Sequence, residues 1–444
     1  MSDNGSVPFQ SHYMPNTPAQ RAAMLETLGL DSIDRLFDDI PAEHRNPPLN
    51  IPPPTSELEL RAELESMTGS NRHAGGYALF LGAGVYNHFI PSIVKPLITR
   101  GEFLTSYTPY QAEASQGTLQ VAYEFQTMVC SLMGMEVAND GMYEGASSLA
   151  EAALMACRVT GREEICVLNS VSPTYREVVE TYALPQGLKV STVDAVRPRL
   201  PEGAACLLTQ YPNFFGYMED LAAHKVAAQE RDALLVVSTD PVAMGMFQPP
   251  GEFGADVVTG EGQALGVPMS FGGPYIGLFA TRKRYLRQMP GRIVGRTVDS
   301  EGKTGYVLTL QTREQHIRRE RATSNICTSQ ALLALASAIT AATLGKQGLR
   351  QVAELCYHKA HYAASLIGRV AGYSFPIRGT FFKEFVVKCP ASPSVINQRL
   401  LESGIIGGLD ISHVMPNCML FCVTEMNTRR EIESLAGALS EFSR

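Results

Sequence analysis

The sequence lacks the CxxC pairs of cysteines that are typical of zinc and redox sites. Its nine cysteines are scattered singly, and neither a CxxC pair nor a histidine-rich segment with zinc-ligand spacing occurs. Structural zinc sites in sequences of this kind depend on such spacing. The pattern argues against a resident metal and favours reduced thiols in the cytosol.

Long apolar runs and a surplus of basic residues are also missing. No window approaches the roughly 20 apolar residues of a membrane span, and the N-terminal segment MSDNGSVPFQ lacks the basic and apolar regions of a secretory signal. The net charge is −7, which is unfavourable for binding nucleic acid. We therefore expect a cytoplasmic protein with neither a membrane nor a nucleic-acid partner.

Short apolar segments alternate with helical segments in the middle of the chain. The runs EICVLN, KVSTVD, AACLLTQYP and ALLVVSTD are separated by helical pieces such as SPTYREVVETY and DLAAHKVAAQER. Helices are also expected from Ser115 to Gly134, after the turn Asn139-Asp140-Gly141 as far as Gly161, and over the Ala-rich residues 322–345. This alternation is typical of a mostly parallel sheet covered by helices on both faces.

The chain is long for a single core, and we predict three regions. Residues 1–70 form an N-terminal arm of short helices, with capping boxes at Thr17 and Ser56 and the proline-rich stretch NPPLNIPPP between them. Residues 71–345 form a large α/β domain. Residues 346–444 form a smaller α+β domain.

Three segments carry residue types that could do chemistry. Residues 102–113 are rich in tyrosine and hydroxyl groups, which could face a ligand or could simply pack a surface loop. The glycine- and serine-rich segment 141–148 opens a helix, where backbone amides could bind a phosphate or be satisfied by ordinary N-capping. The Gly-rich stretch 260–274 follows a predicted strand, at the edge where open α/β sheets bind ligands, and it matches neither GxGxxG nor a P-loop.

A basic cluster lies beside His316. It is open to two interpretations, a carboxylate or phosphate partner, or a solvated helix face with salt bridges; its members are Arg313, Arg318, Arg319 and Arg321.

Five segments together resemble the glycine dehydrogenase (decarboxylating) family, the P-protein of the glycine cleavage system. They are GAGVYNHFIPSIV (82–94), residues 100–140, EGASSLAEAALMA (144–156), residues 254–277 and REQHIRRERATSNICTSQAL (313–332). The resemblance covers nearly the whole chain and implies the type I pyridoxal-phosphate-dependent transferase fold, which is aminotransferase-like. Single-chain members of the family are considerably longer, so the chain looks like the first half of a split enzyme, its alpha subunit.

The resemblance also implies a reaction. Together with a lysine-bearing beta subunit, in an alpha2-beta2 assembly, such a chain decarboxylates glycine on pyridoxal phosphate and passes the aminomethyl group to the lipoyl arm of the H-protein. The densest resemblance supplies candidates for a catalytic site at the subunit interface, namely Tyr107, Thr108, Tyr110, Gln111, Glu113 and Gln116. A degenerate phosphate site is expected at Gly145, Ala146 and Ser147.

The chain departs from the family pattern at the lysine that holds the cofactor. The matching position lies close to Gln263-Ala264, and no lysine occurs between Lys225 and Lys283. Neither glutamine nor alanine supplies the primary amine that the covalent link needs. We therefore expect the cofactor on the partner subunit. Asp240 lies near the place where such folds put the acid that faces the pyridine nitrogen, or it is only a turn residue.

Two alternatives remain. The chain could be an independent pyridoxal enzyme that uses Lys225 or Lys283, or a non-enzymatic scaffold or regulator that has kept the fold.

Overall fold

The chain is described from a computed structural model, which covers residues 16–45, 47–71 and 73–442. It divides into two compact units, residues 1–71 and residues 72–444. The first boundary lies within a residue of the end predicted for the arm. The predicted division at residue 346 does not separate a further compact unit.

The described residues of the first unit, 16–45 and 47–71, form two short α-helices. They are α1 (Pro18–Leu28) and α2 (Glu57–Thr68), with 3-10 turns at Ile33–Phe37 and Ala42–His44. Both predicted capping boxes are confirmed, because the side chains of Thr17 and Ser56 accept from the amides of Gln20 and Glu59 and are capped in return. None of the residues described in this unit is buried.

The second unit contains the remaining helices and the strands. Its α-helices are α3 (Val94–Ile98), α4 (Gly101–Leu104), α5 (Gln116–Met133), α6 (Gly145–Thr160), α7 (Pro173–Ala183), α8 (Leu221–Gln229), α9 (Gln315–Arg318), α10 (Ala331–Ile367), α11 (Pro393–Glu402) and α12 (Arg429–Ser440). Its strands are β1 (Ala78–Leu79), β2 (Val137–Ala138), β3 (Glu164–Leu168), β4 (Lys189–Val193), β5 (Ala204–Tyr211), β6 (Leu234–Thr239), β7 (Val257–Glu261), β8 (Gly277–Thr281), β9 (Ile293–Val298), β10 (Thr304–Thr309), β11 (Glu384–Lys388), β12 (Ile405–Ile406), β13 (Leu409–Asp410) and β14 (Cys418–Cys422).

The main sheet of residues 73–442 has seven strands in the order β2-β8-β7-β6-β5-β3-β4. The five consecutive strands β7, β6, β5, β3 and β4 are parallel to one another. Strand β8 is antiparallel to both of its neighbours, β7 and β2. The four predicted apolar runs are β3, β4, β5 and β6, so the expected mostly parallel sheet is confirmed. All six residues of β6 are buried, as expected for a strand covered on both faces.

Left-handed glycines end the two predicted helices in front of the sheet. Gly134 follows α5 with φ +67°, and Gly161 follows α6 with the same φ. This conformation is unfavourable for residues with a side chain, so glycine at these positions ends each helix sharply.

The helix predicted over residues 322–345 differs from the structure at both ends. Residues 322–330 form a loop, because their backbone amides bond to other segments: the amide of Cys327 donates to the Tyr143 hydroxyl at 3.3 Å. α10 then runs on to Ile367, and at Gly345 a φ of +60° interrupts its helical backbone. By length and composition alone α10 could cross a membrane. Its first part packs against α5, with Ala334 and Leu335 buried.

A second core lies in the C-terminal part of the unit. There α10, α11 and α12 cover a three-stranded sheet in the order β11-β14-β13. β1 pairs with β12, and the segment that follows β1 lies against this three-stranded sheet. The carbonyl of Phe80 accepts from the amide of Cys422 at 2.9 Å. Residues 82–90 therefore run between the two cores.

Two glutamines attach α5 to the β9-β10 hairpin. The buried Gln126 donates to the carbonyl of Val294 at 3.0 Å and accepts from its amide at 2.9 Å. The exposed Gln116 makes the same two bonds to Tyr306, each 2.9 Å long.

These paired bonds predict unequal losses of stability. Gln126→Leu leaves a buried amide and carbonyl without partners, so we expect the free energy of unfolding to fall by about 2 kcal/mol or more. Gln116→Leu, the matched control, exposes its freed groups to water and should cost less than about 1 kcal/mol. Urea denaturation of both variants measures the difference, and equal losses would contradict the explanation.

Candidate functional site

A pocket opens at the carboxyl ends of β5, β6 and β7, the edge at which α/β sheets usually bind ligands. The strand ends supply one wall, α7 contributes Tyr175, and the segments around Gly84 and Lys383 close the other side. The lining residues are Gly84, Tyr86, Tyr175, Gln210, Pro212, Asn213, Gly216, Ser238, Thr239, Asp240, Glu261, Ala264, Phe382, Lys383 and Glu384.

Lys383 extends into this pocket. The residue is only 1% exposed, and its Nζ lies 2.7 Å from Oδ2 of Asp240 and 2.9 Å from Nε2 of His88. The same nitrogen lies 3.4 Å from the centre of the Tyr86 ring. Burial acts to lower the pKa of Lys383, but the charge and hydrogen bond of Asp240 together with Cys422 and Cys356 outweigh burial, and the pKa is raised. The side chain is therefore a fixed ammonium ion and a poor nucleophile.

His88 connects Lys383 to Glu425. An ammonium group has no lone pair, so Lys383 donates to Nε2 and the ring proton lies on Nδ1. That nitrogen donates to Oε2 of Glu425 at 2.7 Å. Burial opposes ionisation of Glu425, yet the hydrogen bonds from His88 and from the amide of Phe89 hold the pKa of this carboxyl at about 2. One connected group of polar side chains therefore runs through Asp240, Lys383, His88 and Glu425.

Burial also keeps the imidazole of His88 neutral. It lowers the pKa of His88, and the neighbouring Lys383 ammonium lowers it further. His88, Cys356 and Glu425 each present one potential metal ligand, with the three atoms within 4.8 Å of one another. The His88 Nδ1 proton and the Cys356 thiol, 3.3 Å away, both point at Glu425. Since a metal needs a free imidazole lone pair and a thiolate, hydrogen bonding explains this cluster.

The N-terminus of α6 meets the pocket at Gly145. Its amide donates to Oε2 of Glu261 at 2.9 Å, and the amide of Ser147 donates to the Glu144 carboxylate at 2.9 and 3.0 Å. Helix N-terminal amides attract anions, and carboxylates of the chain itself take both of these. Gly145, Ala146 and Ser147, the residues expected at a phosphate, are buried behind these carboxylates.

The Glu261 carboxyl is bonded at this helix end and shielded from water. Burial raises the pKa of Glu261 to about 7, and the charge of Glu144 acts in the same direction. A Cβ on Gly145 would lie 2.4 Å from the hydroxyl of Tyr175, so the backbone approaches the pocket wall closely there.

Gln263 lies in the stretch where the resemblance leads us to expect a lysine. Its side chain is buried, accepts from the amide of Tyr86 at 2.9 Å, and donates to the carbonyls of Tyr86 and Val267 at 3.0 and 2.8 Å. Gln263 therefore fastens the segment after β1 to the turn after β7.

Neither lysine considered as a replacement lies at the pocket. Lys225 pairs with Asp256 at 2.8 Å, at the start of β7 and hence at the opposite edge of the sheet. Lys283 follows β8, whose residue Thr281 pairs with Val257 at that same edge. A cofactor anchored on either lysine would have to bind in another pocket.

These residues do not fit pyridoxal phosphate. The anchoring lysine is absent, and the Lys383 ammonium already pairs with Asp240, where a cationic pyridine nitrogen would bind. The carboxylate of Glu261 occupies the helix end where a phosphate would bind, and it would repel one.

The hydroxyl-rich loop lies elsewhere, against residues 313–330. The hydroxyl of Tyr107 is 3.3 Å from Oγ1 of Thr328, and the rings of Tyr110 and His316 are 5.4 Å apart in an edge-to-face arrangement. Tyr107 is 77% exposed and Tyr110 is 49% exposed, so both rings can contact another molecule. We call Tyr107, Tyr110, His316 and Thr328 the tyrosine face.

Buried polar groups lie directly beneath the tyrosine face. Arg292 donates to the carbonyl of Cys327 at 2.6 Å and lies 3.4 Å from the Tyr110 hydroxyl. Nε of Arg292, Oε1 of Glu314 and Oγ1 of Thr108 have no hydrogen-bond partner among the described residues, although Nε of Arg292 lies 3.6 Å from Oε2 of Glu314 in an ion pair. Buried groups of this kind are normally paired, so this region has unused hydrogen-bonding capacity.

The other predicted site residues have different surroundings. Gln111 and Glu113 are exposed beside the tyrosine face, and Gln116 is engaged with β10. Arg313 is buried and donates to the carbonyls of Met289 and Gly291, so it is not part of a solvated face. Arg319 and Arg321 are exposed, as the solvated-face interpretation expects.

Sequence reasoning missed Lys383 and His88. A Lys-Glu pair inside the apolar run FFKEFVVKC was an available signal, because a charge in a buried strand needs a partner. His88 lay inside a resembling segment without a feature that marked it.

Comparisons with known proteins agree with this geometry. The family model described as glycine cleavage system P-protein matches residues 11–439. A relative from Thermomicrobium roseum, named probable glycine dehydrogenase (decarboxylating) subunit 1, is 51% identical, with 97% of this chain and 99% of the relative covered.

Solved structures show the same relationship. A crystal structure of glycine decarboxylase (P-protein) of the glycine cleavage system, in inhibitor-bound form, superposes with a TM-score of 0.90 at 42% identity, covering 97% of this chain and all of that one. A glutamate decarboxylase of Lactobacillus brevis, at 13% identity and a TM-score of 0.65 with 92% and 97% of the two chains covered, shows the fold alone. The predicted type I fold is confirmed, and the chain belongs to the glycine cleavage system P-protein family.

Proposed function

We propose that this chain works as the cofactor-free half of a heteromeric glycine decarboxylase, whose partner subunit holds pyridoxal phosphate. Its role as subunit 1 of the P-protein follows from the full-length match to relatives of that name. The observation that carries the proposal is the pocket in which Lys383 pairs with Asp240, next to a stretch around Gln263 that contains no lysine. A subunit of this enzyme without a usable cofactor site must act at a site that another chain supplies.

The tyrosine face is the part of the chain best suited to complete such a site. It offers the hydroxyl groups of the exposed Tyr107 and the half-buried Thr328, and beneath it Arg292 and Glu314 each keep an atom without a hydrogen bond. These residues would bind and orient the substrate and exclude water, while the cofactor chemistry takes place on the partner. We further propose an alpha2-beta2 assembly in the cytoplasm that acts on glycine with the lipoylated H-protein.

The N-terminal arm supports the proposal of a partner subunit. Its helices have eleven and twelve residues, and none of their residues is buried. Helices of this length are marginal in water unless an apolar face packs against something. Leu60, Leu64 and Met67 lie on one side of α2 and are 45–63% exposed. A partner subunit would supply the missing surface.

Reduction with borohydride tests where the cofactor binds. Because Lys383 is paired with Asp240 and Glu261 takes the amide of Gly145, we expect the purified chain to form no stoichiometric adduct with pyridoxal phosphate. Gln263→Lys alone should form none either, since Lys383 and Glu261 still fill the pocket. Intact mass and peptide mapping measure the outcome. A stoichiometric adduct on Lys383, Lys225 or Lys283 of the unmodified chain would show that it binds the cofactor itself.

Reconstitution tests the shared site. With a cofactor-bearing partner, H-protein and glycine, we expect Tyr107→Ala and Tyr110→Ala to lower the rate of glycine–bicarbonate exchange at least tenfold, which is about 1.4 kcal/mol. The matched control is Tyr362→Ala, which removes a tyrosine bonded to Glu433 on α12. A partner that is fully active without this chain would favour the scaffold or regulator hypothesis. Normal rates for both variants would exclude the tyrosine face.

The arm can be tested without disturbing the folded cores. We expect Leu60→Glu combined with Leu64→Glu to weaken pairing with the partner subunit at least tenfold, because both side chains lose an apolar contact surface. Arg61→Ala on the same helix should leave pairing unchanged. Analytical ultracentrifugation gives the dissociation constants, and unaltered pairing of the double variant would remove the arm from the interface.

A further inference from the structure

We propose that the pocket at the carboxyl ends of β5, β6 and β7 is a binding site for a primary ammonium group, and that the Lys383 side chain is its resident ligand. The pocket is thus a specific cation site that the chain occupies itself.

Three different contacts recognise the ammonium group. Oδ2 of Asp240 supplies the opposite charge at 2.7 Å, Nε2 of His88 supplies a neutral acceptor at 2.9 Å, and the ring of Tyr86 supplies an aromatic face at 3.4 Å. A primary ammonium has three donors on a compact charge and can satisfy the two acceptors while resting on the ring.

Neighbouring groups hold each of these recognition elements in place. The Tyr86 hydroxyl donates to Glu384 at 2.8 Å, which fixes the ring over the ammonium. Glu425 fixes the tautomer of His88, so that Nε2 accepts. Oδ1 of Asp240 accepts from the amide of Val242 at 2.9 Å, which leaves Oδ2 facing the lysine. The site is therefore preorganised around a donor with this shape.

The lining favours a cation of this class. Asp240, Glu261 and Glu384 contribute carboxyl groups, and Lys383 is the single basic side chain among the lining residues. Without Lys383 the pocket would hold an uncompensated buried carboxylate. A quaternary ammonium has no N–H donor for His88 or Asp240, and it should therefore be a poor substitute.

Chemical rescue of the full-length chain tests the proposal. We expect Lys383→Ala to lower the thermal unfolding midpoint by roughly 5–10 °C, because Asp240 loses its partner. Propylammonium or butylammonium chloride should raise the midpoint again, whereas tetramethylammonium and sodium chloride at equal ionic strength should not. The measurement requires no partner and no activity, so its outcome is separate from that of the proposed function.

The control variant removes a lysine whose hydrogen bonds go to backbone carbonyls and not to a carboxylate. Lys359 donates to the backbone carbonyls of Glu425 and Asn427 at 2.5 and 2.7 Å. Lys359→Ala leaves no carboxylate unpaired, so alkylammonium ions should not rescue it. A rescue of Lys383→Ala that tetramethylammonium matches, or no rescue by any amine, would overturn the proposal.

A second comparison covers the case in which Lys383→Ala does not fold. The double variant Lys383→Met with Asp240→Asn leaves no unpaired charge, and we expect it to unfold at a higher temperature than Lys383→Met alone. A double variant whose loss equals the sum of the two single losses would show that Asp240 does not recognise the ammonium, and would overturn the assignment.

Discussion

The ion pair between Lys383 and Asp240 determines how the two cores of residues 73–442 meet. Asp240 ends β6 of the main sheet, Lys383 precedes β11 of the smaller sheet, and His88 lies on the segment between the cores. Removing two charges from water is costly unless both are fully bonded. Here the ammonium has a carboxylate, an imidazole and an aromatic ring around it. The contact is thus stable only when the strand ends, the segment after β1 and β11 are positioned together.

The same requirement explains why residues in and beside the pocket stabilise the fold. A buried polar group must have a partner, and here the chain supplies the partners from its own residues. Glu261 caps the amide of Gly145, and Gln263 bonds both backbone groups of Tyr86. Each position at which a cofactor could be held is therefore used to hold the chain together. The fold is that of a pyridoxal enzyme, and in this chain the groups around the pocket stabilise it.

Local patterns allowed the fold to be predicted in detail. The runs that became β3 to β6 and the glycines after α5 and α6 were recognisable because burial and left-handed backbone depend on neighbouring residues. The absent lysine near Gln263 was also visible, since it needed only an inventory. The run FFKEFVVKC signalled that Lys383 needs a partner, but the partners themselves could not be found in this way, because they come from segments far away in the sequence. The loop at residues 322–330 was mistaken for helix, because its hydrogen bonds to Tyr143 and other distant groups outweigh helix propensity.

The contrast between the two polar regions indicates where function lies. In the pocket the groups that would hold a cofactor are bonded within the chain, so a ligand could enter only by displacing a side chain that the fold needs. Beneath the tyrosine face, Arg292, Glu314 and Thr108 retain buried atoms without a hydrogen bond, and Arg292 and Glu314 form an ion pair at 3.6 Å. Such atoms cost free energy in the isolated chain, and a surface that brings partners to them recovers that cost. The chain is therefore better suited to complete a site across an interface than to contain one.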